Sequence, residues 1–127
     1  MFKLNKDRVV YLDCDDSAIL WEPEKYPHTE DQLVHYEDEY GKWAFLPHFK
    51  NIEFVKNVKR QGYGVVLWSA AGADWAEKVA TLLHIEDYVD IILSKPELAV
   101  DDLLDAKRII KSVIWIDPIT GEYLREK

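Results

Sequence analysis

Apolar residues are grouped along the chain in short runs that predict strands. Val9–Leu12 and Val65–Trp68 are uninterrupted runs of mostly β-branched and aromatic residues, which is typical of strands buried on both faces of a parallel sheet. Shorter apolar runs at Ile91–Leu93, Leu98–Val100 and Val113–Ile116 predict three further strands. The pattern therefore predicts five strands in all.

Between these runs, apolar positions recur at helical spacing. His48–Gln61 has an apolar stripe near the 3.6-residue period and basic residues in its last turns, and Gly62 follows as a stop. Ala73–His84 shows a similar stripe, and Leu103–Ile110 predicts a short third helix. Strands that alternate with helices favour the α/β class, with an open, mainly parallel five-stranded sheet and helices on both faces.

Residues 21–47 interrupt this rhythm. The segment holds three prolines, two histidines and many acidic and aromatic residues, and a hairpin or short helix is expected around Gln32–Phe45. It is either a surface loop packed by its own aromatic rings or a lid over a neighbouring site. It is too small for a separate domain, so residues 1–127 are expected to form one domain. The tail Ile119–Lys127 either turns back as an edge strand or frays.

Composition narrows the classes of function. The 127 residues are 48% apolar and 31% charged, as in an ordinary globular domain. A net charge of −8 argues against coating nucleic acid, although a local basic pocket is not excluded. The single cysteine, Cys14, excludes an internal disulfide. Neither a signal peptide nor a membrane span is recognisable, so we expect a cytoplasmic protein without membrane contact. A homo-oligomer is compatible with these features.

The most unusual polar stretch directly follows the first predicted strand. Asp13, Asp15 and Asp16 place three carboxylates within four positions, where they repel one another unless a cation lies among them. Carboxylate oxygens are ligands for Mg²⁺, and ligands of open parallel sheets bind at the carboxyl ends of the strands. The stretch is therefore either a ligand site or an acidic loop that caps a helix.

Other predicted strands also end in polar residues. Ser69 follows the second strand, Lys95 the third, and Asp101 with Asp102 the fourth. Because parallel strands end at one edge of a sheet, we expect these residues to converge near Asp13. A lysine and a hydroxyl suit phosphate oxygens, and Mg²⁺ is shared between carboxylates, water and phosphate. Taken singly, Ser69 fits a helix cap and Lys95 a solvated turn.

In this order the elements resemble the haloacid dehalogenase (HAD) superfamily of aspartate-nucleophile phosphatases. The resemblance covers about residues 9–117. It is to the small capless members of the superfamily, and it implies their Rossmann-like fold. Asp16 and Ser17 depart from the glycine and threonine that are common in the family. The four matching stretches are VVYLDCDDS for the D-x-D strand, VVLWSAAG for the hydroxyl strand, LSKP for the lysine and LAVDD for the acidic pair.

The resemblance implies a Mg²⁺-dependent phosphomonoester hydrolase. Asp13 would attack phosphorus and carry an aspartyl-phosphate, and Asp15 would protonate the leaving group and then activate water. Ser69, Ala70 and Lys95 would hold the transferring phosphoryl group of a phosphorylated substrate. The implied Mg²⁺ ligands are Asp13, Asp15 through its carbonyl, Asp101, and Asp102 as a ligand or close neighbour.

Several alternatives stay open at this point. Asp117, after the run VIWI, competes with Asp101 as a metal ligand, although an aspartate before proline favours a turn. A receiver-like signalling module would also accept phosphate, but its aspartate follows the third strand, where this chain has Ser94 and Lys95. A third alternative is a catalytically inactive HAD scaffold that binds a partner through its tryptophans. Cys14, between two aspartates, is interpreted as a small buried residue and not as a nucleophile.

Overall fold

The computed structural model describes residues 7–102 and 112–125. Short 3₁₀ turns at Pro23–Lys25, Glu30–Gln32 and Glu86–Tyr88 lie between the regular elements. The strands and α-helices of the described residues follow the order β1 (Val9–Asp13), β2 (Ile19–Leu20), β3 (Val34–Asp38), β4 (Gly41–Pro47), α1 (Phe49–Arg60), β5 (Gly64–Ser69), α2 (Ala73–Leu83), β6 (Ile91–Ser94), β7 (Ile114–Ile116) and β8 (Tyr123–Arg125).

The first sheet is parallel and has the strand order β1-β5-β6. Asp13 pairs with Trp68 across β1 and β5, and Ser69 pairs with Ser94 across β5 and β6. All three strands therefore end at the same edge. The strands predicted from the apolar runs near residues 9, 65 and 91 are confirmed.

Both described helices pack on the same face of the parallel sheet. Side chains alternate between the two faces of a strand, so Leu12 and its partner Leu67 share one face. Both leucines belong to the main hydrophobic core, together with Val55 of α1 and Val79 of α2. The two helices cover this face of the parallel sheet, and their apolar side chains form the core together with those of the sheet.

The predicted five-stranded, mainly parallel sheet with helices on both faces is therefore wrong. The described residues contain two α-helices and mixed sheets, of which only the β1-β5-β6 sheet is parallel. The run Leu98–Val100 forms no strand; Leu98 is 82% exposed and Val100 is 97% exposed. A three-residue run has no clear periodicity, and none of the strands in residues 7–102 and 112–125 pairs with it. The predicted helix Leu103–Ile110 lies outside the described residues.

The second sheet is antiparallel, with the order β2-β4-β3, and it is built from the segment that interrupts the sequence rhythm. Strands β3 and β4 form a hairpin, which confirms the hairpin expected around Gln32–Phe45. Phe45 of β4 is fully buried and belongs to the same core as the parallel sheet. The segment thus contributes to the packed core of the molecule and is more than a surface loop.

The third sheet is the hairpin of β7 and β8. The Oδ1 atom of Asp117 accepts hydrogen bonds from the backbone N–H groups of Ile119 and Thr120, at 2.8 and 3.1 Å. Asp117 therefore closes the turn that its sequence context favours. The predicted strand near residue 113 exists, but its described partner is the antiparallel β8, so this strand is not a fifth parallel one.

Candidate functional site

The carboxyl edge of the parallel sheet joins Asp13 of β1 to Lys95, which directly follows β6. The Nζ atom of Lys95 lies 3.1 Å from Oδ1 of Asp13, across the end of the intervening strand β5. The two side chains keep 35% and 32% of their surface exposed, so a solute can reach the pair. The edge therefore presents a carboxylate and an ammonium side by side and open to solvent.

Ser69 lies between these two groups, at the end of β5, and is fully buried. Its carbonyl accepts the backbone N–H of Lys95 at 2.9 Å and that of Gly72 at 3.2 Å. Its Oγ accepts the N–H of Ala71 at 3.0 Å, and the neighbouring Ala70 is exposed in the same turn. The hydroxyl therefore supports the turn before α2 and keeps its own hydrogen as a donor.

The acidic loop after β1 is a tight turn that is held by local hydrogen bonds. Asp16 has a φ of +59°, a left-handed conformation that aspartate tolerates better than most residues. The hydroxyl of Ser17 donates to Oδ2 of Asp13 at 3.3 Å, so both oxygens of this carboxylate have partners. The Cys14 carbonyl accepts three backbone N–H groups, those of Ser17, Ala18 and Ile19, at 3.2, 2.9 and 3.1 Å.

Asp15 is held by two tryptophans that the motif analysis misses. The indole N–H groups of Trp21 and Trp75 both donate to Oδ1 of Asp15, at 2.9 and 3.3 Å. Trp75 stands in the first turn of α2, sixty residues away in the chain. No motif spacing in the sequence indicates the contact between Trp75 and Asp15, because it forms only when α2 packs beside the loop.

The thiol of Cys14 points into the core and is fully buried. Burial, and then the charges of Asp13 and Asp15, raise the pKa of Cys14 to about 12. The thiol therefore stays protonated near neutral pH, and a protonated thiol is a poor nucleophile. This agrees with the interpretation of Cys14 as a buried structural residue.

His48 connects the start of α1 to the third sheet. Its Nδ1 accepts the N–H of Asn51 at 3.0 Å, so its Nε2–H is the donor toward the carbonyl of Ile116 at 3.2 Å. Burial lowers the pKa of His48, which favours this neutral form. His48 is therefore a structural cap and not a free acid or base.

A polar cavity of about 230 Å³ lies beside the acidic loop. Ser17 lines the cavity and also donates to Asp13, so the cavity adjoins the candidate nucleophile. Its walls come from the acidic loop, the start of α1 and the β7–β8 hairpin, and include Asp16, Glu22, Tyr26, His48, Asn51 and Trp115.

The predicted metal ligands are only partly brought together. Asp101 and Asp102 are exposed and follow an irregular segment, not a strand. Within residues 7–102 and 112–125, no group of three or more His, Cys, Asp or Glu side chains is arranged to hold a metal ion. Mg²⁺ often takes only one or two protein carboxylates and completes its shell with water and phosphate. The donor set of Asp13 and Asp15 fits that kind of site, but not a cage of protein ligands.

Comparisons with family models, with curated proteins and with solved structures found no match to this chain. None of the described helices is long and apolar enough to cross a bilayer.

Proposed function

We propose that this protein is a Mg²⁺-dependent phosphomonoester hydrolase in which Asp13 is the nucleophile. One observation carries the proposal: Asp13 and Lys95 form an ion pair, open to solvent, at the carboxyl edge of three parallel strands. Ser69, at the end of the middle strand, places a hydroxyl-bearing residue at the same edge. A carboxylate, an ammonium and a hydroxyl at one edge match the needs of a transferring phosphoryl group.

In the first step, a carboxylate oxygen of Asp13 attacks phosphorus and forms an aspartyl-phosphate. The bond between phosphorus and the leaving oxygen breaks, and that oxygen takes the electron pair and a proton from Asp15. Lys95 moves from its partner Asp13 toward the phosphoryl oxygens and offsets their charge. Ser69, which ends β5, and Ala70, which follows it, would supply a hydroxyl and a backbone N–H as further donors to the phosphoryl group.

In the second step, water gives a proton to the carboxylate of Asp15 and attacks phosphorus. The bond from phosphorus to Asp13 breaks, so inorganic phosphate leaves and the Asp13 carboxylate is restored. Asp13, the carbonyl of Asp15 and, as the resemblance implies, Asp101 or Asp102 would hold Mg²⁺, and the ion would supply positive charge beside the phosphoryl group.

The test is phosphate release from p-nitrophenyl phosphate and from a panel of phosphorylated metabolites, with Mg²⁺ and with a chelator. We expect turnover only with Mg²⁺, and we expect Asp13→Asn to lower kcat by at least about 10³-fold. Asp87→Asn is a matched control, because Asp87 is an exposed aspartate outside the site. Full activity of Asp13→Asn would refute the proposal.

The same experiment distinguishes a phospho-accepting signalling module. Such a module would take up one phosphate from a small phosphodonor on an aspartate and would release it slowly, without multiple turnovers. The carboxyl end of β6 carries Ser94 and Lys95 and no aspartate, which favours the hydrolase.

A further inference from the structure

Two indole N–H groups converge on one oxygen of Asp15. Trp21 donates to Oδ1 at 2.9 Å and Trp75 donates to the same atom at 3.3 Å. The two rings are stacked, with centroids 6.0 Å apart and planes inclined by 13°. An indole N–H can only donate, so Oδ1 can serve both rings only as an acceptor.

The two indoles are themselves fixed by the antiparallel sheet. Trp21 packs edge-on against the fully buried Phe45, with centroids 5.8 Å apart. Tyr36 of β3 lies 5.7 Å from the Trp75 ring and 6.1 Å from the Phe45 ring. The amine of Lys78 lies 4.7 Å above the Tyr36 ring and covers its outer side. Rings packed on several sides hold their N–H groups in a constant direction.

The geometry points to Trp21 and Trp75 as positioning residues for the proton transfers of Asp15, an inference that rests on the proposed hydrolase function. With Oδ1 held by both indoles, the carboxyl group cannot rotate freely about its χ2 bond. The other oxygen, Oδ2, accepts no hydrogen bond from the described residues, and it is the atom that exchanges protons with the substrate.

The proton balance follows the two steps of the reaction. In the first step, the O–H bond at Oδ2 of Asp15 breaks and a new O–H bond forms on the leaving oxygen, as its bond to phosphorus breaks. In the second step, a proton from the attacking water returns to Oδ2. Oδ1 stays an acceptor throughout, so neither indole has to break its hydrogen bond.

The kinetic test uses two substrates that differ in their need for an acid. A nitrophenolate leaves without help from a proton, whereas an alkoxide leaves only when it is protonated. General acids contribute about 10²–10⁴-fold to such steps. For Trp21→Phe and Trp75→Phe, we expect kcat/KM for an alkyl phosphate to fall at least about tenfold, a fraction of that range. The ratio kcat/KM reports the steps up to formation of the aspartyl-phosphate, so it excludes the later attack of water, which needs Asp15 for both substrates. We therefore expect kcat/KM for p-nitrophenyl phosphate to change little.

The matched control is Trp43→Phe. Trp43 donates its indole N–H to Asp38 at 3.0 Å on the exposed part of the β3–β4 hairpin, away from Asp15. This variant loses the same kind of hydrogen bond, so we expect the rates for both substrates to match the wild type. Equal losses of kcat/KM for both substrates in the Trp21 and Trp75 variants would overturn the inference in favour of a purely structural role.

A second measurement tests the contact without relying on activity. In ¹H–¹⁵N spectra, Asp15→Ala should shift the indole resonances of Trp21 and Trp75 and leave that of Trp43 in place. Unshifted Trp21 and Trp75 resonances would overturn the inference. Wild-type turnover that Asp13→Asn retains would overturn the nucleophile proposal alone. Absence of all turnover in the wild type would overturn both the hydrolase proposal and the positioning role.

Discussion

The two larger sheets of the molecule contribute to the candidate site in different ways. The parallel sheet supplies polar groups at its carboxyl edge, where Asp13 and Lys95 remain about one-third exposed. The antiparallel sheet supplies aromatic rings. Phe45 packs against Trp21 and Tyr36 packs against Trp75, and these two tryptophans hold Asp15. One sheet thus presents groups to solvent, whereas the other holds groups in place.

This difference separates two kinds of mutational effect. A change at the parallel edge should alter chemistry at little cost in stability, because its groups are partly hydrated in the folded state. A change in the antiparallel sheet should lower stability first, because Phe45 is part of the shared core. The following predictions test this separation.

The largest effect on stability is expected for Phe45→Ala. The side chain is fully buried, and truncating a buried phenylalanine costs about 3–5 kcal/mol. Urea unfolding should show this loss in the free energy of unfolding. Tyr40→Ala, at a turn position that is 80% exposed, is the control and should stay within about 0.5 kcal/mol of the wild type. A small loss for Phe45→Ala would mean that the hairpin is a loosely attached lid.

The largest effect on activity outside the nucleophile is expected for Lys95→Met. Removing a group that stabilises transition-state charge costs about 10²–10³-fold in kcat. The free energy of unfolding should change little, since the ion pair with Asp13 is partly exposed. Lys42→Met, on the exposed side of β4, is the control for both measurements. Loss of stability without loss of rate would reverse the proposed division between the sheets.

A smaller effect is expected at His48, where the antiparallel sheet meets α1 and the third sheet. His48 directly follows β4 and caps α1, and His48→Ala at pH 7.5 should cost about 1–3 kcal/mol, because it removes two buried hydrogen-bond partners. Urea unfolding measures this loss.

The pH dependence of this effect has a definite sign. Burial holds the pKa of His48 below its ordinary value of 6.5, with the hydrogen bond to Ile116 and the charge of Asp117 acting in the opposite direction. As the pH falls below 6.5, the histidine of the unfolded chain therefore takes up its proton before the folded His48 does. The stability advantage of the wild type over His48→Ala should shrink as the pH falls. An advantage that grows on acidification would contradict the neutral cap.

The smallest effect is expected at Asp16, in the loop that links the two sheets. The φ of Asp16, +59°, suits glycine, but the Asp16 carboxylate also accepts the backbone N–H of Trp21 at 3.4 Å. Asp16→Gly should therefore change the free energy of unfolding by less than about 1 kcal/mol. Asp16→Val should lower it by about 1–2 kcal/mol, because a β-branched residue fits this conformation poorly. Equal stability of the two variants would argue against the left-handed turn.

The sequence predicts the parallel sheet better than the antiparallel sheet. Strands β1, β5 and β6 have apolar runs that end in polar residues, so their common edge and the approach of Lys95 to Asp13 follow from simple rules. The two-residue strand β2 has no readable period, and its pairing with β4 depends on tertiary contacts.

The other differences between the predicted and the observed structure also come from tertiary packing. The run Leu98–Val100 looks like a strand in the sequence but pairs with no strand of the described part of the chain. The strand expected to bring Asp101 and Asp102 toward Asp13 is therefore not formed by this run. The contacts of Trp21 and Trp75 with Asp15 join residues without any motif spacing. Local patterns predict elements, whereas these contacts depend on how the elements pack.

The buried thiol of Cys14 makes the acidic loop a reporter of unfolding. Thiol reagents attack the thiolate, and a pKa raised to about 12 leaves almost none of it in the folded protein near neutral pH. Modification by a disulfide reagent should therefore wait until the loop opens, and its rate should measure how often the core around residue 14 is exposed. A folded sample should also withstand air oxidation without added reductant, although its only cysteine stands next to the candidate nucleophile.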